Sequence, residues 1–280
     1  MSDNNMIEAQ ISVVLTDIIA STKFVEKHGA HKAAQWFSAH DKMVLSYITR
    51  HNGQWIDNSD GHLMYFASVS DAIAFACDYK KALIRHKFPF ASRVGIHWDK
   101  MIILKTEKKL IDGGVKRINL EGLGKNKAAR TMSICGPAQI LLTNNAYQRF
   151  KNRTTDNKYI PKKIQVAPLG MYKFKGVSQL EKVWVLAFRE KDLQPLPDSE
   201  KAIRIGNKKK IKTHFRNKLL IEKLVWISYR LFFISLLYLL NLLWPFLSNK
   251  DAKEMWNLDY WFFVPIEYLD LLFDWIKSFL

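Results

Sequence analysis

The sequence predicts an α+β fold: a ferredoxin-like βαββαβ unit, extended by further strands and followed by a helical, apolar C-terminal segment. Three observations predict it. Val13-Val14-Leu15-Thr16 is a short β-branched run, too short for a buried helix and suited to a central strand. Asn58-Ser59-Asp60-Gly61 separates Gln54–Asp57 from His62–Phe66, the pattern of a β-hairpin. Stretches of helical periodicity lie between and after these strands, giving the order β-α-β-β-α-β.

Asp17 ends the first strand, and Ser21-Thr22 lead into an amphipathic stretch. A carboxylate at a strand end beside helix N-terminal amides suits a divalent cation carrying a polyphosphate, with Thr22 on the phosphate side. The competing reading of Asp17 is a helix N-cap. Helices are expected over Lys23–Gly29 and His31–His51, the second with Ala34, Phe37, Met43, Val44, Tyr47 and Ile48 as its core stripe. Ser70–His86 is a further helix, N-capped by Ser70, with Ile73, Ala76, Cys77 and Leu83 inward, and Ser92–Trp98 is a strand.

Residues 105–118 are basic and contain glycine, the pattern of a loop or insertion. Gly122–Met132 is a helix that places Asn126 and Arg130, four apart, on one face. A strand at Gln139–Leu142, a helix at Asn144–Phe150, a polar loop and strands at Met171–Phe174 and Val183–Phe188 complete the domain. Pro195 and Pro197 mark a linker. The expected division is 1–192 for this domain, 193–218 for a basic linker and 219–280 for membrane-anchoring helices.

In a βαββαβ sheet the first strand and the hairpin are neighbours, so Asp17 and Asp60 meet at one sheet end. Two converging carboxylates are costly unless a cation lies between them, and a pair of Mg²⁺ ions on nucleotide phosphates supplies that.

Composition narrows the function classes. Two cysteines, Cys77 and Cys135, exclude a disulfide framework and a CxxC metal pair, and fit a reducing compartment. The start, Met1-Ser2-Asp3-Asn4-Asn5, lacks a signal-peptide apolar core, so the domain is expected in the cytoplasm. A net charge of +17 suits nucleic acid or an anionic membrane surface. Much of it sits in Lys201–Lys218, which has no acidic residue and precedes an apolar run; no nucleic-acid motif accompanies it.

Several of these pieces, in order, resemble one family. Thr16-Asp17-Ile18, Asp60-Gly61, Arg93-Val94-Gly95-Ile96-His97, Asn126-Lys127-Ala128-Ala129-Arg130, Gln139-Ile140-Leu141-Leu142 and Phe174-Lys175-Gly176 are similar to the class III nucleotidyl cyclase catalytic domain over residues 10–190. The resemblance implies that Asp17, Asp60 and the Ile18 carbonyl hold two Mg²⁺ or Mn²⁺ ions. It implies that Arg130 stabilises charge on the α-phosphate, that Asn126 positions the ribose and that Lys175 grips the outer phosphates. It also implies a homodimer whose two sites lie at the interface, metals on one protomer and Asn126 and Arg130 on the other. Alone, Arg130 or Lys175 reads as a solvated charge.

The sequence departs from the family where the base is read. Ser59-Asp60-Gly61 replaces Gly-Asp-Gly, and Ile56, Asp57 and Asn58 stand where adenylate cyclases carry a lysine. Asn119, with Glu121 nearby, takes the second base-reading position, so Asp57 and Asn119 are the candidates to contact the base. Ala20 stands where glycine is common, Trp98-Asp99 replaces Thr-Gly, and His62 and His97 receive no role. ATP is the favoured substrate. GTP, a pyrimidine triphosphate (giving cUMP or cCMP, as in anti-phage signalling) and an inactive nucleotide-sensing module are the alternatives.

Leu231–Leu247 is uncharged and reaches about 25 Å as a helix; extended back through Val225 it matches a bilayer core. The basic block beside it is the positive-inside signature of a cytoplasmic domain on an inner-membrane anchor. In Trp261–Leu280, Glu267, Asp270 and Asp274 share one helical face, which reads as an interfacial helix or a second, packed span. A soluble helical hairpin is the alternative for this region.

Overall fold

The computed structural model describes residues 5–58, 61–153, 157–193, 199–206, 224–236 and 239. The chain divides into two units, Met1–Lys208 and Lys209–Leu280. In order, the first contains β1 (Met6–Ile18), α1 (Ser21–His28), α2 (Ala30–Arg50), β2 (Gly53–Asp57), β3 (His62–Phe66), α3 (Val69–Arg85) and β4 (Ser92–Lys105). These are followed by α4 (Lys108–Asp112), β5 (Ile118–Glu121), α5 (Leu123–Ser133), β6 (Gln139–Thr143), α6 (Asn144–Lys151), β7 (Gln165–Phe174), β8 (Leu180–Ala187) and β9 (Ala202–Ile205).

The described strands form one sheet in the order β2-β3-β1-β4-β6-β8-β7-β9, with β5 paired to β4. Its first four strands are antiparallel and carry the expected βαββαβ topology. Val13–Thr16 is the interior of β1, flanked by β3 and β4, which explains why the run is branched and apolar on both faces. Alternation along β1 divides the core. Val14 joins Met64, Phe66, Val94 and Ile96 beneath α2 and α3, while Ile11 and Val13 join Met101, Leu120 and Ala128 of α5 on the other face. Gly95 permits that second layer, because a Cβ there would collide with the α5 backbone at Met132.

Local chemistry moves several boundaries. The α3 N-cap is Ser68, whose hydroxyl accepts from Ser70 N at 3.1 Å, so Ser70 is already inside the helix. Ala33 rather than Ala34 faces the core on α2, joined there by His40. β4 runs on to Lys105, and the basic stretch contributes α4 and part of β5 rather than a bare loop, because β5 pairs with the β4 extension. Ala20 adopts the left-handed conformation, φ 57°, at the start of α1, which is why glycine is at home there. β9, inside the stretch read as linker, pairs with β7 from Phe174↔Ala202 to Met171↔Ile205.

In the second unit residues 224–236 are helical, with Trp226, Leu231, Phe232, Phe233 and Ile234 all exposed. Among the described residues no helix is long and apolar enough to cross a membrane. Most of Leu231–Leu247 and all of Trp261–Leu280 lie outside the described residues.

Candidate active site

The site is built where β1, the β2–β3 hairpin and α5 meet at one end of the sheet. Asp17 is the penultimate residue of β1, and its register partner on β4 is Arg93. Arg93 Nη2 donates to Asp17 Oδ2, and Nη1 reaches the Ser133 carbonyl at the end of α5, 3.5 Å away. The hairpin tip is held against the same strand end: Thr16 pairs with His62, and a Cβ on Gly61 (φ 101°) would collide with the Thr16 carbonyl oxygen. Only glycine tolerates that approach and that backbone conformation.

These groups surround a cavity of about 1020 Å³ lined by Asp17, Ile18, Ser21, Asn58, Gly61, Arg93 and Arg130 among others. The volume is at the upper end for small-ligand pockets. The lining combines the carboxylates of Asp17, Asp41 and Glu200, the guanidinium groups of Arg93 and Arg130, the Lys201 ammonium and small polar side chains, a mixture suited to a cation together with a polyanion.

The predicted residues fall as follows. Asp17, Ile18 and Arg130 share the cavity. Asp60 lies outside the described residues, although Asn58 and Gly61 on either side of the tip line the cavity. Arg130 Nε donates to the Lys175 carbonyl at 3.2 Å, which ties α5 to the β7 turn. Lys175 itself lines an adjoining concavity of about 450 Å³, which shares Glu200 and Lys201 with the larger one. Asn126 is exposed on α5, one turn before Arg130, and is not part of the cavity wall of a single chain. Ser21, not the exposed Thr22, faces the cavity, because helix α1 begins at Ser21 and turns Thr22 outward.

The two base-reading candidates are occupied within the chain. Asp57 pairs with Lys116, and its Oδ1 accepts from Asn58 N at 2.8 Å. Asn119 Nδ2 donates to Glu121 Oε1 at 2.7 Å while its Oδ1 accepts from Leu120 N. Neither residue lines the cavity.

Residues without a sequence assignment complete the wall. Arg93 opens the Arg93–His97 motif, and its pairing with Asp17 follows from strand register. His40, Asp41 and His62 also line the cavity. Burial, and then the neighbouring His62, push His40 down to about 3, and burial lowers His62 as well. The periodicity that placed Met43 and Tyr47 in the core also points His40 inward, so the signal was present on α2.

Solved structures resemble this arrangement. The adenylyl cyclase CyaB from P. aeruginosa superposes with a TM-score of 0.56 at 15% identity, over 67% of this chain and 98% of that one. The guanylate cyclase domain of RhGC from Catenaria anguillulae, in complex with GTP, gives 0.54 at 16% identity over 65% and 98%. An adenylate cyclase from Trypanosoma brucei, in its monomeric state, gives 0.52 at 19% over 69% and 93%. The chain has the fold of a nucleotidyl cyclase catalytic domain. No protein-family model and no curated protein matches the sequence. Adenylyl and guanylyl cyclases both stand among the neighbours, so this cyclase fold does not select a base.

The oxygen donors at the rim of the cyclase-like cavity fit a hard divalent cation. The Asp17 carboxylate and the Ile18 carbonyl at the strand end would offer such a cation oxygen ligands, beside a cavity roomy enough for its waters.

Proposed function

We propose that this protein is a nucleotidyl cyclase that converts a nucleoside triphosphate, ATP by preference, to its 3′,5′-cyclic monophosphate and pyrophosphate. The observation that carries the reading is the convergence of Asp17, Asn58, Gly61 and Arg130 on one cavity of nucleotide size. Asp17, with Asp60 and the Ile18 carbonyl, holds two Mg²⁺ or Mn²⁺ ions. When bound, the ions lower the pKa of the ribose 3′-hydroxyl and offset the triphosphate charge.

The chain's own groups do the rest. Arg130 presents a planar guanidinium to the α-phosphate, where charge grows as the 3′-oxygen attacks in line with the pyrophosphate leaving group. Its bond to the Lys175 carbonyl holds the guanidinium in place. Lys175 draws the outer phosphates into the adjoining concavity, and Asn126 fixes the ribose. Asn126 is exposed and outside the single-chain cavity, which supports an active homodimer in which it acts on the partner's nucleotide. Asp57 and Asn119 are tied to Lys116 and Glu121, which favours base selection different from the lysine-based adenine contact and keeps GTP or a pyrimidine triphosphate as the second reading.

The uncharged run Leu231–Leu247 and the basic block before it support anchoring of the C-terminal segment in the inner membrane, with the basic side cytoplasmic. The catalytic unit then works in the cytoplasm.

The test is product identification. Full-length protein in detergent is incubated with Mn²⁺ and ATP, GTP, CTP or UTP separately, and products are resolved by mass. A cyclic monophosphate made by wild-type protein and lost in Asp17→Ala is the expected result. Silence with all four nucleotides overturns the reading in favour of a nucleotide-sensing module.

A further inference from the structure

Thr16 and Asp17 are consecutive on β1, so their side chains leave the sheet on opposite faces. Asp17 meets Arg93 on the α5 side. Thr16 meets His62, its cross-strand partner, on the side covered by α2 and α3. There His62 converges with His40 and Asp41 of α2.

The two imidazoles are oriented from behind. His40 Nε2 is hydrogen-bonded to the Tyr79 hydroxyl at 2.7 Å, and His62 Nδ1 to Thr16 Oγ1 at 3.1 Å. The remaining nitrogens therefore face Asp41. His62 Nε2 lies 2.9 Å and His40 Nδ1 3.9 Å from the same Asp41 Oδ1. One donor atom from each of the three residues falls within 4.8 Å of the others. His40 is 1% exposed, and its Nδ1 is buried without a hydrogen-bond partner. An unsatisfied buried nitrogen is costly, and it calls for a ligand.

We propose that His40, Asp41 and His62 bind a divalent transition-metal ion of the Zn²⁺ type, at a site separate from the carboxylate site around Asp17. Zn²⁺ holds nitrogen and oxygen ligands at about 2.0–2.1 Å, which sets tetrahedral neighbours about 3.3 Å apart. The spacings here, 2.9 and 3.9 Å, straddle that value. Two imidazoles and one carboxylate select a borderline metal over Mg²⁺. The back-side bonds to Tyr79 and Thr16 are the outer contacts that fix ligating histidines. All three residues line the cavity, which leaves the fourth position open to water. A bound ion links α2 to His62 at the start of β3.

This site does not depend on the cyclase reading, and its test does not use turnover. Metal-free full-length protein in excess Mg²⁺ is titrated with Co²⁺, and the visible d–d bands of imidazole-bound Co²⁺ are followed. The expected result is saturation at one equivalent, displacement by Zn²⁺, and retention of the bands in Asp17→Asn. His62→Ala abolishes the bands, and Asp41→Asn, on the half-exposed side of the site, weakens Co²⁺ binding tenfold or more while the metal-free melting temperature holds. Absence of bands in the wild type, their persistence in His62→Ala, or their loss in Asp17→Asn overturns the proposal.

Discussion

Arg93 stands directly opposite Asp17 in the β1–β4 register, and its guanidinium donates to the carboxylate while reaching back to Ser133 on α5. A fixed positive charge on this carboxylate opposes the binding of a second one. Replacing it, as in Arg93→Met, frees Asp17 for the cation. After solvent screening the gain is about 1 kcal/mol, roughly fivefold in affinity. The Mn²⁺ concentration for half-maximal cyclase activity is expected to fall by that factor. An unchanged Mn²⁺ midpoint would place the metal elsewhere.

Arg130 is half-buried and its guanidinium donates to the Lys175 carbonyl, so Arg130→Ala should leave the melting temperature nearly unchanged. Its kcat is expected to drop by about 10²–10³, the usual loss when a transition-state charge stabiliser is removed. Mixing Arg130→Ala with Asp17→Ala tests the dimer. Random exchange should restore roughly a quarter of wild-type activity, since half the dimers then carry one intact site of two. No recovery on mixing would show that each chain completes its own site.

Lys80 is buried on α3, its ammonium donating to the carbonyls of Ser92 and, at 2.9 Å, Pro137. Burial pulls it down to about 8. The unfolded chain therefore keeps this proton over a pH range where the folded chain releases it. Stability contributed by this group rises as pH climbs from about 8 toward the ordinary lysine value, and is lost again below 8. Between pH 7.5 and 9.5 the gain is about 2 kcal/mol. Urea midpoints at these two pH values should rise in wild type relative to Lys80→Met; parallel behaviour of the two proteins would contradict the assignment.

Ala20 holds a left-handed backbone, φ 57°, without a side-chain cap at the start of α1. Ala20→Gly removes the Cβ strain and should stabilise the fold by about 1 kcal/mol. Chemical denaturation measures this directly. A loss of stability would mean that the entropy of the glycine outweighs the strain.

The sheet was legible because its signals are local. The branched run before Asp17 and the turn residues after Asp57 point to β1 and the hairpin, and the helical stripes on α2 and α3 name the part of the core those helices supply, Met43, Val44, Tyr47, Ile48, Ile73, Ala76, Cys77 and Leu83. β9 was hidden because Ala202–Ile205 lies in a basic stretch and becomes a strand only by pairing with β7. Ser21 rather than Thr22 faces the cavity because the start of α1 depends on backbone angles that Ala20 does not advertise. Motif order singles out Asp17 and Arg130, and both line the cavity. The pairing of Arg93 is not legible there, since an ion pair between strands depends on register, and register follows from the whole sheet. His40 and His62 each resemble a core histidine in the sequence; only the fold brings them together.

The strand at the sheet edge gives the tail a mechanical handle. Lys175 N donates to the Lys201 carbonyl at 2.9 Å, and the next residues zip onto β7. The chain then continues from Ile205 toward the second unit. Tension on that continuation loads the β7–β9 ladder first, and the turn bearing Lys175 and the carbonyl that holds Arg130 sits at its far end. Shear along the β7–β9 ladder is thus delivered to the turn beside Arg130.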